Sequence, residues 1–358
     1  MTGAGPTTAL HELGQSLWLD NITRTMLDDG TLERYIAELS VTGLTSNPTI
    51  FDKAITSGQA YDEQIAEQLA AGASDEEAFF ELALADLRRA ADLFAPIHER
   101  TDGVDGWVSL EVSPLLADDA EATIEQARSL HERGERDNLL TKIPGTEAGR
   151  TAIEETIFAG IPVNVTLLFS AEQYLAAAEA YMRGLERRIA DGLDPAVGSV
   201  ASVFISRWDK AVTDSVPDEL RDRLGIAVAG RAYRAYRELL DSERWQRLAN
   251  EGARPQRLLW ASTGTKNPDA SDVLYVAALA APFTVNTMPE ETLLAFAEHG
   301  EVTRAFPADG GDAEGQLAAF AEAGVDSDAL AAQLQSEGAK TFDDSWTELL
   351  ASIAGHRD

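Results

Sequence analysis

The run Leu139-Leu140-Thr141-Lys142-Ile143-Pro144-Gly145-Thr146 is a short apolar strand that ends on an amine and is stopped at once by Pro-Gly. Lysine is seldom buried unless it is paired or chemically employed, so a lysine closing an interior strand points to covalent chemistry on a sugar carbonyl. A free lysine amine, with a reference pKa of about 10.4, is neutral in only about one molecule in a few thousand at pH 7. A lysine nucleophile therefore needs apolar walls that desolvate it, and Leu140 and Phe204 are the walls on offer. Once an imine joins such an amine to a hydroxyketone, it acts as an electron sink. The adjacent carbon–carbon bond then breaks when a base removes the hydroxyl proton.

The other polar strand ends supply the remaining parts. Asp20 is the candidate base, Glu111 with Thr166 can hold the water that forms and hydrolyses the imine, and Asn47 and Asn164 can bond sugar hydroxyls, with Thr45 on the same strand face as Asn47. Ser202 and Arg207 after the sixth apolar run, and Gly264-Thr265-Lys266 after the seventh, form a phosphate handle, in the place where this kind of fold usually holds one. Each residue alone has a plainer reading. Asp20 can be a helix N-cap before Asn21-Ile22-Thr23, Asn47 a turn former before Pro48, Glu111 an ion-pair partner of Lys142, and Arg207 a partner of Asp209. Together they provide every role that imine chemistry needs.

Positioning them requires strands that deliver polar residues to one end. Eight apolar runs of strand length recur, at Ser16 to Asp20, Thr42 to Asn47, Trp107 to Val112, Leu139 to Ile143, Val163 to Leu167, Val200 to Ile205, Leu258 to Ser262 and Phe283 to Asn286. Helical patterns lie between them, such as Phe79, Ala83, Leu87, Ala90, Phe94 and Ile97. Capping boxes are read at Ser74 with Glu77, Thr151 with Glu154, Ser170 with Gln173 and Thr287 with Glu290. Eight βα units with right-handed crossovers close most simply into a (β/α)8 TIM barrel of the α/β class.

Parity along the strands then orients the side chains. Trp18 with Asp20, Thr45 with Asn47, Ser109 with Glu111, Leu140 with Lys142, Asn164 with Thr166, and Ser202 with Phe204 share the inward face. Leu19, Leu110, Val112, Ile143, Val163, Val165, Val203 and Ile205 face the helices. The opposite choice would bury Asp20, Glu111 and Lys142 against helices without partners, at several kcal/mol each. Thr141 also faces the helix layer, where its hydroxyl is expected to bond locally to backbone.

Residues 1–358 are expected to form one barrel domain, with 207–256 as an extended helical crossover and 308–358 as a helical tail. Phe342, Trp346, Leu349 and Ile353 give that tail an apolar face to pack on the barrel. Asp and Glu number 61 against 29 Lys and Arg, a formal charge of -32, which repels nucleic acid and anionic membranes. The alternation of base and aromatic at Arg231, Tyr233, Arg234, Tyr236 and Arg237 is therefore read as a partly solvated helix. Cysteine is absent, so disulfides, thiolate nucleophiles and cysteine metal sites are excluded. The five histidines, at 11, 98, 131, 299 and 356, lack metal-ligand spacing and read as surface or cap residues. Met1 to Leu10 resembles no leader, and no stretch approaches the roughly 20 apolar residues of a membrane span. The expectation is a cytoplasmic protein, monomeric or homodimeric, with no nucleic-acid or membrane partner.

Several segments resemble the transaldolase family, within the Schiff-base-forming class I aldolases. Gly43-Leu44-Thr45-Ser46-Asn47-Pro48-Thr49-Ile50-Phe51 is similar to its asparagine-proline signature, and Leu140-Thr141-Lys142-Ile143-Pro144-Gly145-Thr146 to its lysine strand. Asn164-Val165-Thr166-Leu167-Leu168-Phe169-Ser170, Ser202-Val203-Phe204-Ile205-Ser206-Arg207 and Val285-Asn286-Thr287-Met288-Pro289 follow in family order. The resemblance runs from about Ser16 to about Phe296. It implies transfer of a dihydroxyacetone unit from sedoheptulose 7-phosphate to glyceraldehyde 3-phosphate, giving erythrose 4-phosphate and fructose 6-phosphate in the non-oxidative pentose phosphate branch, with no metal or organic cofactor. It gives the family's roles to Asp20, Asn47, Glu111, Lys142, Asn164, Thr166, Ser202 and Arg207. Two departures stand out: Lys266 where many members carry arginine, a point charge in place of a bidentate fork, and Thr141 where an apolar residue usually precedes the lysine. Alternatives are a fructose-6-phosphate aldolase-like lyase, whose relatives by resemblance carry glutamine at the place of Glu111 and tyrosine at that of Phe204, and a non-catalytic phosphosugar-binding barrel.

Overall fold

In the computed structural model, which describes residues 5–357, eight parallel strands pair in chain order and the last pairs with the first. Residues 1–4 and Asp358, which the sequence reading included in the domain, lie outside the described part. The strands are β1 (Ser16–Leu19), β2 (Val41–Thr45), β3 (Val108–Glu111), β4 (Leu139–Pro144), β5 (Val163–Leu168), β6 (Ser199–Phe204), β7 (Gln256–Ala261) and β8 (Val285–Met288). All eight expected runs are strands, shifted by up to two residues at their ends. A helical segment follows each strand, giving a (β/α)8 barrel with extra helices and a helical C-terminal segment.

The inward face carries Trp18, Leu140, Val200, Phe204, Leu259 and Val285, which pack as one apolar cluster inside the ring. The outward face carries Leu17, Leu19, Val108, Leu110, Ile143, Val163, Val165 and Val203, which pack on the helices. Period-two alternation alone separates these two layers. Gly43 in β2 makes room for the interior: a Cβ there would lie 2.7 Å from both the Trp18 indole and the Trp107 carbonyl oxygen. Thr141 is buried in the helix layer, but its hydroxyl has no partner among the described residues, contrary to the expected backbone bond.

The helix starts are only partly those expected. Ser74 and Glu77 form a complete capping box on Asp75–Arg100. Ser170 accepts from the Gln173 amide, while Gln173 Oε1 accepts from the Phe169 amide rather than closing a box. Thr151 lies inside the helix Glu147–Phe158, which Thr146 caps instead. Thr287 remains in β8 and caps nothing, because Pro289 takes the position before Glu290–His299.

The crossover from β6 to β7 contains the helices Ser206–Val212, Leu224–Asp241 and Glu243–Asn250. Tyr233 and Tyr236 bury their rings and donate to the carbonyls of Pro282 and Phe283, while Arg231 and Arg234 pair with Glu314. The basic-aromatic alternation is thus one core face and one ion-paired face. The C-terminal part holds Ala313–Glu322 and the long helix Ser327–Ala354. That long helix packs Trp346 against Phe79 and Phe80, lies along Pro48–Thr56, and brings Phe342 to the cluster that also holds Trp18, Leu140 and Phe204. No described helix is long and apolar enough to cross a membrane.

Candidate active site

Lys142 ends the inward face of β4, in register with Glu111 of β3 on one side and Asn164 of β5 on the other. The residue is 5 % exposed, and its amine donates to Glu111 Oε2 at 3.0 Å and to the Ser46 carbonyl at 3.2 Å and lies 5.4 Å from the centre of the Phe342 ring. Glu111 is held above the ordinary carboxylate range, first by burial and also by the charge of Asp20, while the Lys142 charge and hydrogen bond pull it back. Its second oxygen, Oε1, and the Thr166 hydroxyl are both buried without a partner among the described residues. Polar atoms left unpaired in this way usually mark a site for water or ligand.

Asp20 stands just past the end of β1. It is no helix cap: Thr23 caps Arg24–Asp28, and Asp20 Oδ1 instead accepts from the Thr45 hydroxyl at 2.8 Å. Burial raises its pKa, opposed by Lys142, the Thr45 hydrogen bond and Lys266. Thr45 also meets the Thr287 hydroxyl at 2.7 Å, so β1, β2 and β8 share one polar knot. Asn47 uses Oδ1 to cap Pro48–Thr56. The turn-forming role of Asn47 and its place at the site therefore coexist.

These groups surround a cavity of about 250 Å³ at the carboxyl end of the barrel. Asp20, Thr45, Asn47, Lys142, Thr166, Ser202, Phe204, Arg207 and Lys266 all line it. Glu111 and Asn164 stand behind its wall. The Asn164 amide is engaged on both sides, donating to Ser109 Oγ at 3.1 Å and accepting from Ser202 Oγ at 2.8 Å. Arg207 does not pair with Asp209, which instead accepts from the Leu224 and Gly225 amides and the Tyr275 hydroxyl. The guanidinium rests 4.9 Å from the Phe204 ring and 5.9 Å from the Phe342 ring, and burial moves its pKa down. A larger groove of about 570 Å³ on the helix layer, bordered by Ile226, Leu274 and Phe306, contains none of these strand-end groups.

Among the lining residues that the sequence does not reveal are Thr287, Thr49, Lys53 and Phe342. Thr287 was assigned to a cap. Lys53 sits on the first helix after β2, one turn past Thr49, and both line the cavity; the i, i+4 spacing after Asn47-Pro48 was the available signal. Phe342 arrives from the far end of the chain, where only its apolar spacing was visible.

The arrangement can form an imine. It has a buried amine at a strand end, carboxyls near it with raised pKa, and unpaired oxygens for water. Cations at the rim suit a phosphate. Comparison with known proteins agrees with the fold. The family described as transaldolase/fructose-6-phosphate aldolase matches residues 17–353. A protein named transaldolase from Arthrobacter sp. (strain FB24) is 47 % identical, covering 98 % of this chain and 97 % of its own length. Those of Kocuria rhizophila, at 47 % over 99 % and 98 %, and Thermobifida fusca, at 46 % over 98 % and 97 %, carry the same name. With a matched segment that takes in every strand from Leu17 onward, this chain belongs to the transaldolase/fructose-6-phosphate aldolase family.

Proposed function

We propose that the protein is a transaldolase that moves a dihydroxyacetone unit from sedoheptulose 7-phosphate to glyceraldehyde 3-phosphate through an imine on Lys142. The observation that carries this reading is the Lys142 amine, buried 3.0 Å from Glu111 and opening on a cavity that Asp20 also lines. Lys142 Nζ passes a proton to Glu111 Oε2 and adds through the freed lone pair to the ketose carbonyl. Glu111 and Thr166, with their free oxygens, hold the water that leaves and later returns. Asp20 takes the C4 hydroxyl proton as the C3–C4 bond breaks, and returns it to the acceptor's carbonyl oxygen when the new bond forms. Asn47 orients hydroxyls directly, Asn164 acts from behind the wall by holding Ser202, and Thr45 fixes Asp20. Arg207, Lys266 and Ser202 hold the phosphate, and Phe204 walls the amine.

The same reading places the protein in the cytoplasm, as a monomer or homodimer acting on phosphorylated sugars. Borohydride reduction in the presence of fructose 6-phosphate is expected to add a sugar-derived mass to the peptide holding Lys142. No label there overturns the imine. In a coupled assay, product is expected only when an aldehyde acceptor is supplied; steady release of dihydroxyacetone without one would favour the lyase.

A further inference from the structure

After the C3–C4 bond breaks, the three-carbon unit waits on Lys142 as an enamine whose C3 is nucleophilic. Water can end this wait in the wrong way. If it gives a proton to C3, and the resulting hydroxide adds to C2 and expels the amine, free dihydroxyacetone leaves with the net consumption of one water. Transfer therefore requires a wall between the intermediate and solvent until the acceptor arrives.

From the structure we infer that Phe342, on the C-terminal helix, is that wall, and that it determines transfer over release. The inference rests on the imine reading above. Phe342 lies 200 residues from Lys142 in sequence, yet its ring is 5.4 Å from Nζ and 5.9 Å from the Arg207 guanidinium, and the residue is only 5 % exposed. With Thr341 it lines the cavity from the C-terminal helix.

Its helix is fitted to the mouth rather than merely resting there. Leu167, at the end of β5, has φ of 59° and falls where the pairing with β6 shifts register. A branched side chain in that conformation carries strain. The bent strand end offers the Leu167 carbonyl to Gln335 Nε2 of the C-terminal helix at 2.9 Å. One turn on, Gly338 lets the helix descend: a Cβ there would lie 2.9 Å from Leu167 Cδ2 and 3.1 Å from Arg207 Nη1. Past Phe342, Ser345 meets Thr49 at 2.8 Å and Trp346 locks onto Phe79. Contacts on both sides of Phe342 thus set its depth over the amine.

The test uses the full-length protein with Phe342→Ala and Phe342→Leu. Two rates are measured from fructose 6-phosphate: dihydroxyacetone released without acceptor, and transfer to an aldehyde acceptor. The ratio of release to transfer is expected to rise roughly tenfold or more in Phe342→Ala, and by a smaller factor in Phe342→Leu, with borohydride labelling of Lys142 retained. The smaller side chain that still folds, judged by circular dichroism, decides. An unchanged ratio in that variant, with both rates lowered together, overturns the inference, since a merely structural role slows both alike. A wild-type protein that neither labels at Lys142 nor transfers would instead overturn the proposed function.

Discussion

Lys142 and Glu111, aligned across β4 and β3, form an ion pair of 3.0 Å whose side chains are 7 % and 3 % exposed, and the second Glu111 oxygen has no partner. A pair so buried loses much of its attraction to desolvation, and removal of one member leaves a charge without compensation. Glu111→Leu alone is expected to cost about 3–5 kcal/mol of stability, while Glu111→Leu with Lys142→Met recovers most of it. Urea unfolding of the single and double variants checks this. Equal losses in both would mean that the pair is not the source.

The hydroxyl of Thr45 donates to Asp20, whose carboxyl is already raised by burial. A donor to a carboxylate favours its charged form, so Thr45→Val moves the Asp20 pKa further up. If Asp20 must be ionised to accept the hydroxyl proton, the acid limb of kcat/KM moves to higher pH. The variant then loses more activity at pH 6 than at pH 8, as a pH–rate profile with fructose 6-phosphate would show. A parallel loss at both values would remove Asp20 from the role of base.

Strand parity was legible because most inward runs, the one ending on Phe204 excepted, carry a polar residue near the end: Asp20, Thr45, Glu111, Lys142 and Thr166 could be placed together from alternation alone. Helix starts were less so. The pattern Ser/Thr-x-x-Glu also occurs within helices, as at Thr151, and the Pro144-Gly145-Thr146 turn was the truer signal for that start. Thr287 was misread because a hydroxyl that serves Thr45 across the barrel looks, in sequence, like a cap. Phe342 was legible as an apolar position but not as a member of the site. Its neighbours Lys142 and Arg207 depend on where the helix crosses, which Leu167 and Gly338 decide through a backbone bend and a missing Cβ.

Arg207 presents a fork with no carboxylate partner among the described residues, backed by Phe204, whereas Lys53 and Lys266 are exposed lysines at the rim. A charge-assisted bond to phosphate contributes about 1.5–3 kcal/mol. Arg207→Ala is therefore expected to raise KM for fructose 6-phosphate by roughly 10- to 100-fold, with little change for unphosphorylated fructose. Lys53→Ala and Lys266→Ala should have smaller effects that fade with added salt, because their charges are screened. Steady-state kinetics on the two sugars at two ionic strengths separates these cases. A KM for unphosphorylated fructose that rises equally in Arg207→Ala would show a structural role for Arg207.

At the opposite end of the ring, Asp105 accepts from the Trp18 indole at 2.8 Å, the Gly106 amide at 3.0 Å and the Ser16 hydroxyl, which in turn accepts from Arg257 at 2.6 Å. This network ties the amino ends of β1, β3 and β7 and contains no group that lines the cavity. Barrels of this kind place stability at that end and chemistry at the other. Asp105→Ala strands the Trp18 indole and the Ser16 hydroxyl, while the Gly106 amide keeps the Thr42 carbonyl, so a loss of about 2–5 kcal/mol is expected, with KM and the pH profile of the folded fraction unchanged. Asp20→Asn is expected to do the reverse. Its charge is opposed by burial, so neutralising it leaves stability intact or higher, while losing a base costs about 10²- to 10⁴-fold in kcat. Urea unfolding and kcat/KM measured side by side on the two variants test the division, and an Asp20→Asn protein less stable than the wild type would show that the strained carboxyl also holds the mouth together.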